Sequence, residues 1–336
     1  MKIIIDAMGG DNAPFAPLEG AAAAVKELGV EVIAVGDEPK LRSAAQEKNI
    51  SLSGIEIRHA ADVISMEDDS TDVLRKKPES SLAISLKALA AGDGEALVSA
   101  GSTGALLVGA TMLVKRIKGV KRAAIGTVMP GGTKPWLLID CGANVECRPE
   151  MLVQFAAMGS AYQNNVMGIE EPTVGLVNNG TEETKGTELQ LQAYPLLQNS
   201  GLNFTGNIEP RDIPSGKCDV VVCDGFTGNV ILKLTEGVAK MFSGMIKGMF
   251  MKSLKTKVAA LLIKSGLADF KKSFDYTEYG GAPLLGIKKP VIKAHGSSNA
   301  KAIKNAIRQA KTCAEKDVCG SIEKWMLAHK AEADAE

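Results

Sequence analysis

EALVSAGSTGALLVG, residues 95 to 109, reads as a short apolar strand from Ala96 to Ser99, a turn of glycines and hydroxyls, and the first turns of an apolar helix. A helix that opens straight after a strand presents backbone N–H groups with no partner inside the helix, and Gly101 and Gly104 let a ligand approach them closely. Ser99, Ser102 and Thr103 add hydroxyls to the same turn. Three further segments have this character: DAMGGD at 6 to 11, DGFTGN at 224 to 229 and HGSSNAKA at 295 to 302. Any one of them alone is an ordinary strand-to-helix connector. Four gathered at one sheet edge make an anion pocket, and that convergence is the expectation to test.

Working outward, β-branched runs alternate with helical patterns. Ile3 to Asp6, Val30 to Val35, Ala96 to Ser99, Trp136 to Asp140, Thr173 to Val177 and Val220 to Cys223 read as strands. Leu18 to Leu28, Ser80 to Ala91 and Met151 to Met158 read as helices. This is a βαβ rhythm, so the fold class is α/β with a largely parallel sheet. Ligands in such sheets bind beyond the carboxyl ends of strands, where the glycine turns fall.

Composition narrows the function classes. The 336 residues are 45% hydrophobic, enough for a full core, and Lys plus Arg equals Asp plus Glu at 39 each. A balanced charge gives no field for nucleic acid. The opening Met1-Lys2-Ile3-Ile4-Ile5-Asp6 reads as a strand rather than a secretory signal, so a cytoplasmic protein is expected. No apolar run reaches the roughly 18 residues of a membrane span. Six cysteines form no C-x-x-C pair and three histidines are scattered, which argues against zinc and for reduced, mostly buried thiols. Cys141, beside Gly142 and Asn144, is the thiol singled out for thioester chemistry, although sequence supplies no base to activate it. No G-x-G-x-x-G follows the first strand, so no nicotinamide site is expected.

The stretch 237–275 differs from the rest. Between Gly237 and Ala268 stand six lysines and no acidic residue, while Ile246, Phe250, Leu254, Val258 and Leu262 recur every four residues. This predicts a basic amphipathic helical arm, and the reading leaves open a core helix, a dimer contact or an anionic lipid surface. Lys252, Lys255, Lys257, Val258, Leu261, Leu262 and Lys264 form its contact region. The acidic, alanine-rich end, 330–336, is expected to be a frayed tail.

Taken together and in order, the motifs resemble the bacterial phosphate acyltransferase family. They are DAMGGD, RKKPESS (75 to 81), SAGSTGA (99 to 105), LIDCGAN (138 to 144), NNGTEETKG (178 to 186), FTGNIEPRDI (204 to 213), DVVVCDGFTGNVILK (219 to 233), EYGGAPLLGI (278 to 287) and HGSSNAKA. The resemblance implies a single three-layer αβα catalytic domain over 1–336, with a mixed, mostly parallel sheet. It implies the isocitrate and isopropylmalate dehydrogenase-like arrangement of two intertwined lobes, and a homodimer. It implies transfer of a fatty acyl group from acyl carrier protein to orthophosphate without a nicotinamide; no cofactor and no metal ligand are assigned, and whether a metal assists stays open. Peripheral contact with the inner face of the membrane is also implied, with a membrane glycerol-phosphate acyltransferase as a further partner.

Under that resemblance, the expected phosphate cradle is Ser99, Gly101, Ser102, Thr103 and Gly104 with Ser297, Ser298 and Asn299. Lys185 is expected to supply positive charge, and His295 to polarise the carbonyl or protonate the departing thiolate. Asp224 and Asn229 either orient Lys233, or bind the substrate's amide, or form an Asx turn capping a helix. Asn144 is counted with the site, and Asp6, Gly9, Gly10, Asp11 and Asn12 organise the first loop. Arg75, Lys76 and Lys77 form a second basic cluster suited to carrier docking or phosphate entry. The competing readings are a phosphotransacetylase-like enzyme acting on acyl-coenzyme A, a metal-dependent dehydrogenase on the same fold, and a noncatalytic module that binds carrier protein or lipid.

Overall fold

The computed structural model describes residues 1–132, 134–264, 266 and 280–333, with side chains described as far as His329. The end of the expected arm beyond Gly266, the Glu278 and Tyr279 of one motif, and the last three residues of the expected tail lie outside the described residues.

Among the described residues, one 11-stranded sheet organises the fold. Its strands are β1 (Lys2–Asp6), β2 (Glu31–Gly36), β3 (Ile55–His59), β4 (Ala96–Ser99), β5 (Ala124–Met129), β6 (Trp136–Ile139), β7 (Val174–Val177), β8 (Phe204–Ile208), β9 (Val220–Val222), β10 (Ala282–Leu285) and β11 (Val291–Lys293). Their order across the sheet is β3-β2-β1-β4-β11-β10-β5-β6-β9-β7-β8. The helices are α1 (Phe15–Leu28), α2 (Glu38–Glu47), α3 (Ser81–Ala91), α4 (Thr103–Gly109), α5 (Pro149–Met167), α6 (Glu188–Gln198), α7 (Gly225–Met251), α8 (Leu254–Leu262), α9 (Ala300–Glu315) and α10 (Val318–Ala333).

Alternation along the strands builds two cores. Ile3 and Ile5 of β1 pack on one face with Leu18 of α1 and Ile303 of α9, whereas Ile4 packs on the other with Leu82 and Leu86 of α3. Successive strand side chains point to opposite faces, so a sheet apolar on both sides needs helices on both sides. The α/β class and the mostly parallel sheet therefore hold.

Pairing fixes where the loops go. β1, β4 and β11 are neighbours and parallel, with Asp6, Ser99 and Lys293 in register at their carboxyl ends. The two antiparallel pairings on either side of β10 cancel, so β5 runs with β11, and the antiparallel β5–β6 pairing then reverses direction. β6, β9, β7 and β8 are parallel to one another and run opposite to β1. Their carboxyl ends face the other way.

The arm is two helices. α7 runs 27 residues from the N-cap Asp224, and a Ser253–Thr256 capping box starts α8 after a break at Lys252. Among residues of α7, only Gly225 and Gly228 are buried. Phe226, Val230, Leu234, Val238, Met241, Phe242, Met245 and Met249 are all exposed, and their three- and four-residue spacing lays them along one stripe. At the other end, α10 continues through Ala333, so residues 330–333 are helical where a frayed tail is expected.

Candidate active site

Three of the four glycine segments meet, at the carboxyl ends of β1, β4 and β11. Asp11 N–H donates to Gly296 O at 2.8 Å, and Asn12 Nδ2 donates to the carbonyls of Ser297 (3.1 Å) and Ser298 (3.2 Å). The DAMGGD turn also packs against the SAGSTG turn so closely that a Cβ on Gly9 would sit 2.7 Å from Gly101 N and 2.5 Å from Asp6 Oδ2. Gly10, at φ +95°, supplies the left-handed turn that makes this approach possible.

Beneath them lies a buried carboxylate. Asp6 is 4% exposed and accepts from Ser81 Oγ (2.7 Å), Ser99 Oγ (2.8 Å) and Met8 N–H (3.3 Å). Burial pushes its pKa up, against the pull of these donors and of Lys293. Ser99 in turn accepts from Gly101 N–H at 3.1 Å. Ser99 is therefore a correction to the expected cradle: its hydroxyl is fully engaged below the loop and underpins it rather than lining it. Ser102 and Asn299 each place a side-chain oxygen on the N–H three residues on, capping α4 and α9. Gly101 is buried, Ser102 and Gly104 half-buried, and Thr103, Asp11, Asn12, His295, Ser297 and Asn299 exposed. Ser298 is buried and its Oγ has no partner among the described residues.

His295 stands at the mouth. Its Nδ1 accepts Ser297 N–H at 3.2 Å and lies 2.8 Å from Ser297 Oγ. An accepting Nδ1 leaves Nε2 to carry the proton and act as a donor.

Lys293, at the end of β11, is the residue that sequence reading passed over. Its Nζ donates to Ala100 O at 3.3 Å and to Ala294 O, at the junction of two of the loops. Burial pulls its pKa down to about 8, although Asp6 and Asp11 pull it up. The one signal available was a lysine two residues before His295 at the end of a three-residue apolar run.

The fourth segment, DGFTGN, is not part of this meeting, because β9 runs opposite to β1. It packs instead on the loop after β6: Gly225 N–H donates to Asn144 O at 2.7 Å, and a Cβ on Gly228 would lie 1.9 Å from Asp140 O. Asp140 is the hub there, accepting from the N–H groups of Ile125 (2.9 Å), Ala143 (3.1 Å) and Asn144 (2.7 Å) and from Asn144 Nδ2 (2.9 Å). Burial raises its pKa even so. Asp224 spends both oxygens on Thr227 as the cap of α7, which is the Asx alternative. Lys233 pairs with Glu236 at 2.9 Å rather than with Asp224. Asn229 is exposed beside Gly142. Lys185, exposed, follows β7 and so belongs to this opposite end of the strands. Burial pushes the Cys141 thiol up to about 12, which keeps it from acting as a thiolate nucleophile. Among the described residues no cluster could hold a metal ion. The basic cluster is already committed in part, Lys76 to Asp72 (3.1 Å) and Lys77 to Asp68 (2.8 Å).

The family described as "Fatty acid synthesis protein" matches residues 1–321. A phosphate acyltransferase from Clostridium acetobutylicum is 49% identical over 327 residues, covering 97% of this chain and 99% of its own. One from Clostridium botulinum is 48% identical over 324 residues, covering 96% and 97%. The chain belongs to the bacterial phosphate acyltransferase family. Among solved structures, a phosphotransacetylase from Streptococcus pyogenes superposes with TM-score 0.63 at 18% identity, covering 93% of this chain and 94% of that one. The EutD phosphotransacetylase from Staphylococcus aureus gives 0.59 at 17%, covering 94% of each. At such identities the likeness is one of fold, and it places this family's sheet among those of the phosphotransacetylases.

The Gly9 contact makes a direct prediction. Gly9→Ala forces a methyl against Asp6 and Gly101, and should cost about 1–3 kcal/mol in urea unfolding. A loss under about 0.5 kcal/mol, the usual range of a neutral surface change, contradicts the close packing described.

Proposed function

We propose that this acyltransferase moves a fatty acyl group from acyl carrier protein to orthophosphate, giving acyl phosphate for phospholipid synthesis. The observation that carries the reading is the meeting of three loops from β1, β4 and β11 around His295, in a chain of this family. Thioester and acyl phosphate are both activated acyl groups, so the exchange is reversible and needs no ATP. Orthophosphate ionises a second time near neutrality, so the nucleophile is largely dianionic already and catalysis is mainly positioning and charge stabilisation. Gly101, Ser102, Thr103 and Gly104 with Ser297, Ser298 and Asn299 form the cradle. His295 Nε2–H is the donor for the carbonyl oxygen and then for the departing sulfur. Asn229 and Lys185, at the other loop cluster, are the groups for the amides and charge of the thioester's carrier arm, and Asn144, bonded to Asp140 and Ala123, braces that cluster. The reversal of strand direction at β6 is consistent with two intertwined, dehydrogenase-like lobes.

The apolar stripe of α7 is the surface for a second copy, because a stripe of this width in water needs a partner. Lys252, Lys255, Lys257 and Lys264, with exposed Val258, Leu261 and Leu262, suit α8 to anionic headgroups or an acidic carrier protein. No described helix is long and apolar enough to cross a membrane.

Long-chain acyl carrier protein mixed with orthophosphate and the enzyme should yield acyl phosphate, trapped as hydroxamate. Activity with acyl-coenzyme A alone favours the phosphotransacetylase-like alternative, and binding without turnover favours the noncatalytic one. Replacing Leu234 and Phe242 together by Glu should turn a dimer into a monomer in sedimentation, whereas a monomeric wild type removes the dimer from the account.

A further inference from the structure

We propose that Lys293 is the cation that receives orthophosphate, and that Asp6, one step behind it, is the positioning residue that sustains its charge without occupying its donors. The inference rests on the acyl transfer read above and adds a residue that neither the motifs nor the family relation singles out.

The geometry of the ammonium is the first support. Lys293 ends β11 in register with Ser99 of β4, at the junction of the loops that form the cradle. Its Nζ reaches two acceptors, the carbonyls of Ala100 and Ala294, and both are backbone. An ammonium has three donors, so one is left for a further acceptor. Among the described residues no carboxylate lies within ion-pairing distance of it. Lys293 is half-buried, and a charge partly withdrawn from water in this way favours an anion that completes it. Orthophosphate arriving at the cradle supplies that anion.

Asp6 explains why the ammonium is not quenched beforehand. Its carboxylate is held by Ser81 and Ser99 and interacts with Lys293 through space rather than by a direct bond. The charged groups facing Lys293 are Asp6 from β1, Asp11 from the first loop and Lys233 from α7, with His295 two residues along its own loop. The two carboxylates favour the charged lysine, Lys233 opposes it, and burial opposes it most, which leaves the pKa near 8. Lys185, exposed at the end of β7, and Lys233, paired with Glu236, are less suited to the task.

The chemistry balances without a proton from Lys293. An oxygen of the hydrogen phosphate dianion attacks the thioester carbon, the C–O bond forms and the C–S bond breaks. His295 gives its Nε2 proton to the leaving sulfur and is reprotonated by the proton that the phosphate releases, so the net transfer is from phosphate to thiol. Lys293 stays protonated throughout and holds the dianion at the attack distance.

Steady-state kinetics over pH, varying orthophosphate at saturating acyl carrier protein, tests this. Wild-type kcat/KM for phosphate should fall above about pH 8, as the ammonium loses its proton. Lys293→Met should raise KM for phosphate about 100-fold, the loss of one charge-assisted contact, with KM for the acyl carrier unchanged. Lys293→Arg, which keeps the charge, should retain part of the activity and lose the alkaline fall. Asp6→Asn should move that fall to lower pH, a change that loss of a merely structural contact would not produce. If the wild type forms no acyl phosphate, the acyl-transfer reading itself fails. If it does, and Lys293→Met keeps its phosphate KM within threefold or the wild type shows no alkaline fall, the role given to Lys293 is overturned. The wild-type pH profile decides even if a variant does not fold.

Discussion

The Asp6 carboxylate, almost wholly out of water, accepts from Ser81 at the start of α3, from Ser99 at the end of β4 and from the chain of its own loop. A buried carboxylate is tolerated only where donors surround it, so these segments must arrive together. With Ser99 fixed, Gly101 N–H is fixed through the same hydroxyl. With the first loop fixed, Asp11 and Asn12 hold Gly296, Ser297 and Ser298 by their carbonyls. One charge in the floor thus sets the positions of three loops that are far apart in the chain. Polar networks of this kind specify geometry more than they add stability, which is what a site that works by positioning requires.

Strand direction imposes the second constraint. Because β6 reverses the sheet, the loops after β6, β7 and β9 gather around Asp140 at the opposite end of the strands, as a separate hub built on the same principle of one carboxylate and several N–H donors. α7 starts at that hub and brings Lys233 back within electrostatic range of Lys293. The helix that links the two clusters also carries the long exposed apolar stripe.

Much of this was legible in the sequence because local pattern and local structure coincide. The glycine turns after Ile3–Asp6 and Ala96–Ser99 lie where they were expected, since an apolar run followed by glycine and hydroxyls has few other readings. Other features were hidden for physical reasons. β11 and β10 have three and four residues, too short for any periodicity, and β5 is interrupted by Gly126. Strand direction is set by partners distant in sequence, so nothing near Asp224 announces that its loop faces away from Ser102. The lysine count marked the arm only from Gly237, yet the helix begins at Gly225, where no charge pattern signals it. Lys293 is the clearest case: its meaning comes from partial burial and from the Ala100 carbonyl on a turn far away in the chain. The sequence places Asp6 with the first loop, and the structure extends its reach to Ser81 and Ser99.

A crystal structure of the enzyme with orthophosphate bound tests the central claim most directly. The account predicts phosphorus between the 101–104 and 296–298 turns, with one oxygen within hydrogen-bonding distance of Lys293 Nζ. Phosphate held instead at the Asp140 hub, beside Asn229 or Lys185, would contradict it.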